Sequence, residues 1–185
     1  MRIVSGKYKG RHFEPPANIT ARPTTDFAKE SLFDLLGNRL DFENIEVLDL
    51  FAGTGSISYE FISRGAMRVT AVEMCDRQLR FIRKTCKDLG ITNLHLLRMD
   101  VFRYLSVPRG NFDLVFADPP YQLPELSTLP DRVLQSGCLK IGGLFVLEHG
   151  VKHSFVTHPQ CIDERCYGSV HFSLFKPLKA EQGND

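Results

Sequence analysis

Glu46-Val47-Leu48-Asp49-Leu50-Phe51-Ala52-Gly53-Thr54-Gly55-Ser56-Ile57-Ser58 sets the architecture of this chain. A short apolar run, Val47, Leu48 and Leu50, ends in two glycines, and a helical pattern starts directly after them. This predicts a buried strand, a tight turn and a helix N-terminus, an arrangement that holds nucleotide-like ligands. Glycine at 53 and 55 permits φ > 0 and keeps a Cβ from striking the ligand. The helix start offers unpaired N–H groups and a partial positive charge.

The spacing departs from a dinucleotide fingerprint. In G-x-G-x-x-G/A the third small residue after Gly53-Thr54-Gly55 falls at Ser58. Asp49, just before the turn, would repel a pyrophosphate. A carboxylate there suits a ligand that carries positive charge and no phosphate. S-adenosylmethionine, with a cationic amino group and a sulfonium, is such a ligand, so the loop favours this methyl donor over a nicotinamide cofactor.

Outward from this stretch, strands and helices alternate. Strands are expected at 47–50, 69–72, 94–97, 112–116 and 144–147, and helices at 56–64, 75–89 and 129–135. Such repeats imply a parallel sheet with right-handed crossovers. The end of the chain reads as a hairpin, 154–156 or 162–165 followed by 170–175, turning at Tyr167-Gly168 and adding an antiparallel edge strand. Before the core, a helix capped by Thr25 or Asp26 runs to Leu36, with Ala28, Leu32, Leu35 and Leu36 inward and Gly37 ending it. Residues 2–13 read as a short hairpin turning at Gly6 and Gly10.

Ligands of a parallel α/β sheet lie beyond the carboxyl ends of its strands. Asp49, Glu73 and Asp100 fall at successive strand ends. Glu73 stands 18 residues after Gly55, the spacing at which a carboxylate meets ribose hydroxyls, and Asp100 is placed to accept from an adenine amino group. At the fourth strand end comes Asp118-Pro119-Pro120-Tyr121. Two prolines stop the ladder and hold an extended backbone, leaving the Pro119 carbonyl to point into the cleft beside the Asp118 carboxylate. Two converging acceptors suit a planar exocyclic amine, and Tyr121 offers a face for a base. The plainer reading makes each acid a strand-end cap and the tyrosine a surface residue. Glu148 and His149 at the fifth strand end fall either near the cleft or in structural roles, and the structural reading is favoured for both.

The 185 residues, 43% apolar and 24% charged, fit one globular domain. No apolar run approaches the roughly 20 residues that cross a bilayer, and the opening residues have no apolar signal region, so a cytoplasmic location is expected. Five scattered cysteines without a C-x-x-C pair, and six histidines without ligand spacing, give no expectation of metal or disulfides. The net charge is only +1, but residues 1–22 hold five Lys or Arg against Glu14 alone. Lys7, Tyr8, Lys9 and Arg11 in the hairpin therefore read as an RNA contact, against the alternative of a solvated edge. Arg22-Pro23-Thr24 reads as cleft lining or a rigid lead into the helix.

Asp49-Leu50-Phe51-Ala52-Gly53-Thr54-Gly55 with Asp118-Pro119-Pro120-Tyr121 resembles the S-adenosylmethionine-dependent amino-methyltransferases of nucleic acids. Arg2-Ile3-Val4-Ser5-Gly6, Lys9-Gly10-Arg11, Arg22-Pro23-Thr24-Thr25-Asp26, Glu30-Ser31-Leu32-Phe33 and Ser63-Arg64-Gly65-Ala66 narrow the resemblance to the RsmD family, bacterial 16S rRNA guanine-N2 methyltransferases, over nearly the whole chain. Phe27-Ala28-Lys29 stands where that family usually has a more basic run, and Ala117 where Leu is common. The resemblance implies an α/β fold: a Rossmann-like seven-stranded methyltransferase sheet, parallel with one antiparallel edge strand, plus a small N-terminal β-hairpin. It implies a basic extension over residues 1–25, a methyltransferase domain over 26–178 and a flexible tail over 179–185.

The expected sites follow. Asp49, Phe51, Ala52, Gly53, Thr54, Gly55, Glu73, Asp100 and Val101 hold S-adenosylmethionine, and S-adenosylhomocysteine is the product. Asp118, Pro119, Pro120 and Tyr121 carry the transfer. Arg2, Lys7, Tyr8, Lys9, Arg11, Arg22 and Thr24 contact 16S rRNA, within the small subunit or an assembly intermediate, the protein being a monomer without a metal. The alternatives are an adenine-N6 methyltransferase on DNA or RNA, which shares the tetrapeptide, a glutamine-modifying methyltransferase, and a non-catalytic RNA-binding assembly factor.

Overall fold

β1 (Glu46–Leu50) lies in the interior of the sheet and is covered on both faces, which is why its run is apolar without alternation. In the computed structural model, which describes residues 1–15, 25–107 and 110–178, Val47 faces one layer with Leu114, Phe116, Leu144 and Val146. Leu48 and Leu50 face the other, with Val115, Ala117, Phe145 and Leu147. The first layer is closed by α1 (Asp26–Gly37), α2 (Ser56–Ser63) and α3 (Asp76–Leu89), and the second by α4 (Val101–Ser106) and α5 (Leu129–Gln135). Each fully buried Leu or Phe contributes roughly 1.5–3 kcal/mol to holding the layers together.

The remaining strands are β2 (Arg68–Glu73), β3 (Leu94–Arg98), β4 (Phe112–Ala117), β5 (Leu139–Gly150), β6 (Cys161–Tyr167) and β7 (Val170–Phe175). Their order is β3-β2-β1-β4-β5-β7-β6, with the first five parallel and β7 antiparallel to both its neighbours. The chain therefore runs outward in one direction from β1 and in the other from β4. A crevice opens between those two strands at their carboxyl ends.

Several local expectations are corrected. β5 is longer than 144–147: it pairs through Phe112↔Leu139, then resumes at Leu114↔Leu144. Three extra residues bulge out there, and Gly142, at φ +82, supplies the left-handed turn they need. Gly142 and Gly143, which precede the expected strand at 144–147, thus lie inside β5. Of the two possible hairpin strands, the one at 161–167 forms. α4 has no counterpart in the expected elements, because six residues are too few to show helical periodicity. α1 is capped by Thr25, whose Oγ1 accepts from Ala28 N at 3.2 Å, but it carries on through Gly37 to Asn38. Its buried side includes Phe33 and Lys29 in place of Leu35.

The N-terminal hairpin is reduced to a single bridge, Arg2↔His12, flanked by backbone bonds from Ile3 N to Arg11 O at 3.0 Å and Phe13 N to Met1 O at 2.9 Å. It is docked tightly on α2. Ile3 is buried, and the Glu60 carboxylate accepts from the backbone N–H groups of Val4 at 2.9 Å and Ser5 at 3.0 Å. Gly6, at φ +80, fits where any Cβ would strike the Ser63 carbonyl. Lys29 reaches inward to donate to the Arg2 carbonyl and to Ser56 Oγ, so its charge is spent on joining the hairpin to the helices. Among the described residues no helix is long and apolar enough to cross a membrane.

Candidate active site

A cavity of about 860 Å³ sits over the carboxyl ends of β1, β2, β4 and β5. Glu73, the last residue of β2, and Asp118, the first beyond β4, both line it, together with Phe51 and Gly53 of the glycine turn and Asp100 and Val101 at the start of α4. The turn is strained in the manner of a ligand loop: Phe51 holds φ 60, costly for a non-glycine residue. A Cβ on Gly53 would meet only the Phe51 carbonyl, at 3.8 Å, so the backbone there faces open space. Gly55 serves differently from the expectation. Its Cβ would lie 2.8 Å from the buried Tyr59 ring, so glycine is required by the core and not by clearance for a ligand.

Glu73 clamps the site. One carboxylate oxygen accepts from Gly53 N at 2.9 Å, and the other from Met74 N at 2.8 Å and Cys75 N at 2.7 Å. Much of its acceptor capacity thus ties the glycine turn to the β2–α3 turn. Asp100 accepts from Arg103 N at 2.9 Å, the N-cap that starts α4, while its exposed side faces the cavity. Asp49, Ala52, Thr54 and Gly55 are not in the cavity wall. Asp49 lies beneath it, fully buried, accepting from the Ser58 hydroxyl at 2.5 Å. Burial, offset by that bond and assisted by the Glu73 charge, pushes Asp49 up to about 7. Ser58, the position that breaks the dinucleotide fingerprint, is therefore the partner of the acid before the turn. The Thr54 hydroxyl sits beside Met1 Sδ at 3.3 Å.

Asp118 is drawn in against the cavity floor. Loss of solvent first, then the charges of Glu148 and Asp49, raise its pKa well above the ordinary carboxylate range. Pro119 is buried, and among the described residues its carbonyl accepts no hydrogen bond, whereas the Pro120 carbonyl is taken by Leu123 N at 2.8 Å. Tyr121 stands at the mouth with its ring seated on Gly150, where a Cβ would come within 3.0 Å, and its hydroxyl 3.4 Å from Glu148 Oε1. Glu148, given a structural role from sequence, is in the cavity wall. His149, its neighbour, points to the opposite face and meets Ser173 Oγ at 2.8 Å. Alternation along β5 was the signal that could have separated the two.

The far wall comes from Thr25 and from Tyr167, Gly168, Ser169 and Val170 at the β6–β7 turn. Phe27 is 66% exposed there, edge-on to Tyr167 with ring centroids 6.3 Å apart. The other wall residues that sequence reading missed, Val72, Met74, Gln78, Met99, Phe102 and Leu123, carry no motif and follow only from the topology.

The RNA candidates are dispersed. Arg2 is paired with Asp26 at 3.2 Å and Glu30 at 3.6 Å. Lys7, Lys9 and Arg11 are exposed, and Lys7 lies over the Tyr8 ring at 5.3 Å. Lys7 N and Tyr8 N are bonded to Ser63 at the last turn of α2, so the hairpin tip sits about 12 Å, one eight-residue helix, from the glycine turn. Arg22 and Thr24 lie outside the described residues. A second cationic group was not expected from the sequence: Arg77, Arg80, Arg83, Lys84 and Lys87 are all exposed on α3, opposite its buried Leu79 and Ile82.

The family model described as conserved hypothetical protein 95 matches residues 1–176. The chain belongs to the RsmD family. Its relatives include the ribosomal RNA small subunit methyltransferase D of Buchnera aphidicola subsp. Baizongia pistaciae, 28% identical over 95% of this chain and 91% of that one. The protein of the same name from Buchnera aphidicola subsp. Acyrthosiphon pisum is 35% identical over 84% and 81%. A solved structure of a hypothetical protein from Thermus thermophilus superposes with a TM-score of 0.81 at 28% identity, covering 95% of this chain and 99% of that one. This RsmD-family chain thus shares length and fold with its relatives, and its cavity occupies the crevice of a Rossmann-like sheet.

Proposed function

We propose that this chain transfers a methyl group from S-adenosylmethionine to the exocyclic N2 amine of a guanine in 16S rRNA of the small ribosomal subunit. The observation that carries the reading is the convergence of Glu73 and Asp118 on one hollow with the glycine turn between them. The names of the relatives, small-subunit rRNA methyltransferases, supply the substrate class.

The hollow fits the donor. It is large, its ionisable lining is acidic, and Gly53 leaves its backbone open to a ligand. On this reading Gly53, Phe51, Glu73 and the start of α4 hold the adenosine and amino-acid parts, which their shared place in the cavity wall supports. When bound, S-adenosylmethionine supplies a methyl carbon made electrophilic by its sulfonium. The protein's task is to present the amine. Its lone pair is delocalised into the ring, and hydrogen bonds accepted by Asp118 and the Pro119 carbonyl favour the pyramidal nitrogen and orient it. Asp118, whose environment favours the protonated state, is suited to take up the proton the amine releases. Orientation of two bound reactants can lower a barrier by ~7–11 kcal/mol. The target base must leave its stack to reach the floor, and Tyr121 at the mouth gives it a surface to rest on. The Lys7–Arg11 tip, one helix length away, would hold RNA that flanks the target.

Asp118→Ala tests the assignment. Donor affinity, measured by calorimetry, should stay near that of the parent, and methyl incorporation into small subunits from a strain lacking the enzyme should vanish. Turnover at the parental rate would remove Asp118 from the reaction.

A further inference from the structure

Asp118 and Glu148 occupy equivalent positions on neighbouring strands. β4 and β5 are paired in parallel up to Ala117↔Leu147, so the next residue on each strand is one of the two acids. Neighbouring strands lie about 4.8 Å apart, and both residues are in the wall of the same cavity. Glu148 is only 3% exposed and brings its charge close enough to act on Asp118. Two acids packed this way disfavour each other, and neither belongs to the apolar layers. The Tyr121 hydroxyl beside Glu148 Oε1 fixes one side of the group, and the carboxylate as a whole lies in the cavity wall.

Resting on the guanine reading above, we infer that Glu148 is the specificity-determining residue that accepts the guanine N1–H while Asp118 and the Pro119 carbonyl hold the N2 amine. The chemistry of the two purines separates them at this point. Beside its exocyclic amine, guanine carries N1–H, a donor. Beside its N6 amine, adenine carries N1 with a lone pair, an acceptor. A floor made of one carboxylate for the amine and a second for the adjacent ring position satisfies both guanine donors. An adenine placed with its amine on Asp118 would turn a lone pair toward a buried carboxylate, and the two acceptors would face each other with no proton between them. Sites built to bond a particular donor reject ligands that lack it far more strongly than sites that discriminate by shape. The tetrapeptide at 118–121 serves either amine, so discrimination has to come from a residue outside it, and Glu148 holds the adjacent position.

The test uses small subunits from a strain lacking the enzyme, carrying either the native target guanine or a plasmid-encoded adenine at that position. Glu148→Gln replaces one acceptor by an amide that can also donate. With guanine, its kcat/KM should fall roughly 10- to 100-fold, the loss expected for one hydrogen bond to a charged acceptor. With adenine it should rise above the parental level, so that the preference narrows from both sides. Glu148→Asp, which keeps the acceptors, should retain a preference for guanine, and Tyr121→Phe, which removes only the hydroxyl contact, should retain it too. Donor affinity and thermal midpoint, measured on every variant, confirm that each is folded. An equal loss on both bases in Glu148→Gln, or an unchanged preference, would overturn the assignment and leave Glu148 as a support for Tyr121. If the parent enzyme itself methylates the adenine substrate better than the guanine one, the guanine reading fails first, and the role of Glu148 falls with it.

Discussion

Asp49→Asn should make the protein more stable at neutral pH while weakening its hold on the methyl donor. Asp49 is wholly buried between the glycine turn and α2, and its carboxyl is pushed from 3.8 to about 7. An acid whose pKa is raised by folding binds its proton more tightly folded than unfolded. The penalty is therefore absent below about pH 4, grows as pH rises toward 7 and is flat above that. A rise from 3.8 to about 7 corresponds to about 4 kcal/mol at high pH, at about 1.4 kcal/mol for each tenfold change in acidity. Asparagine keeps an oxygen for the Ser58 hydroxyl and has nothing to ionise. Urea unfolding of parent and variant at pH 5 and pH 8 isolates the effect, because the other titrating groups cancel in the difference. The advantage of the variant should be about 2–3 kcal/mol larger at pH 8 than at pH 5. An advantage that does not change with pH, or a variant that is less stable throughout, would refute the assignment of a buried, costly charge. Calorimetry with S-adenosylmethionine should show the opposite trend, since the charge retained at this cost lies directly beneath the cavity, beside Glu73 and Asp118.

The pH profile of methyl transfer should rise on its acid side through a group well above the ordinary carboxylate range, because Asp118 must be ionised to accept from the amine. Asp49 and Glu148 act on Asp118 from β1 and β5, with the Tyr121 hydroxyl beside Glu148, and removing the Glu148 charge with Glu148→Gln should move that limb to lower pH; an unmoved limb would dissociate the two acids. Gly55→Ala should destabilise by about 2–5 kcal/mol in urea melts, since φ +80 and a Cβ 2.8 Å from Tyr59 add left-handed strain to overpacking. Gly53→Ala, with no close neighbour, should stay folded and lose donor affinity instead. Lys7→Gln, Lys9→Gln and Arg11→Gln together should flatten the slope of log K for rRNA against log salt by up to about 2–3, and an unchanged slope would exclude the tip from the RNA path.

The reading from sequence succeeded where a local pattern has one physical cause. An apolar run before two glycines can only be buried on both faces, and two prolines after a strand end its ladder. It failed where the cause was not local. Gly142-Gly143 looks like punctuation until the register of β4 shows three residues bulging between Leu139 and Leu144. Asp100 is legible as a strand-end acid, but its second role, capping the six-residue α4 while lining the cavity, shows only in the fold. Lys29 has no assigned role in the sequence reading, and only the fold places the Arg2 carbonyl and Ser56 around its ammonium group. Glu148 and His149 are adjacent in the chain but a pleat apart in the sheet, and only the pairing of β5 with β4 and β7 shows that one faces the cavity and the other Ser173. For the β5 bulge, Lys29 and the Glu148–His149 pair, a long-range neighbour invisible to periodicity decided the role.

Four acids, Asp49, Glu73, Asp118 and Glu148, are gathered at the carboxyl ends of β1, β2, β4 and β5, and of these Glu73 is the one clamped by three backbone N–H groups. Nothing in the packing of the sheet calls for that gathering. The two layers on either side are apolar and would be better closed by apolar residues. The cost is carried by the core, and it makes sense only if further partners arrive from outside. Under the function proposed above, a sulfonium and an ammonium group would supply positive charge on the β1–β2 side, and an amine with a neighbouring ring N–H would supply donors on the β4–β5 side. The same switch in strand order that opens the crevice thus divides it into a half suited to a cation and a half suited to hydrogen-bond donors, with Gly53 and Asp118 on either side of the division.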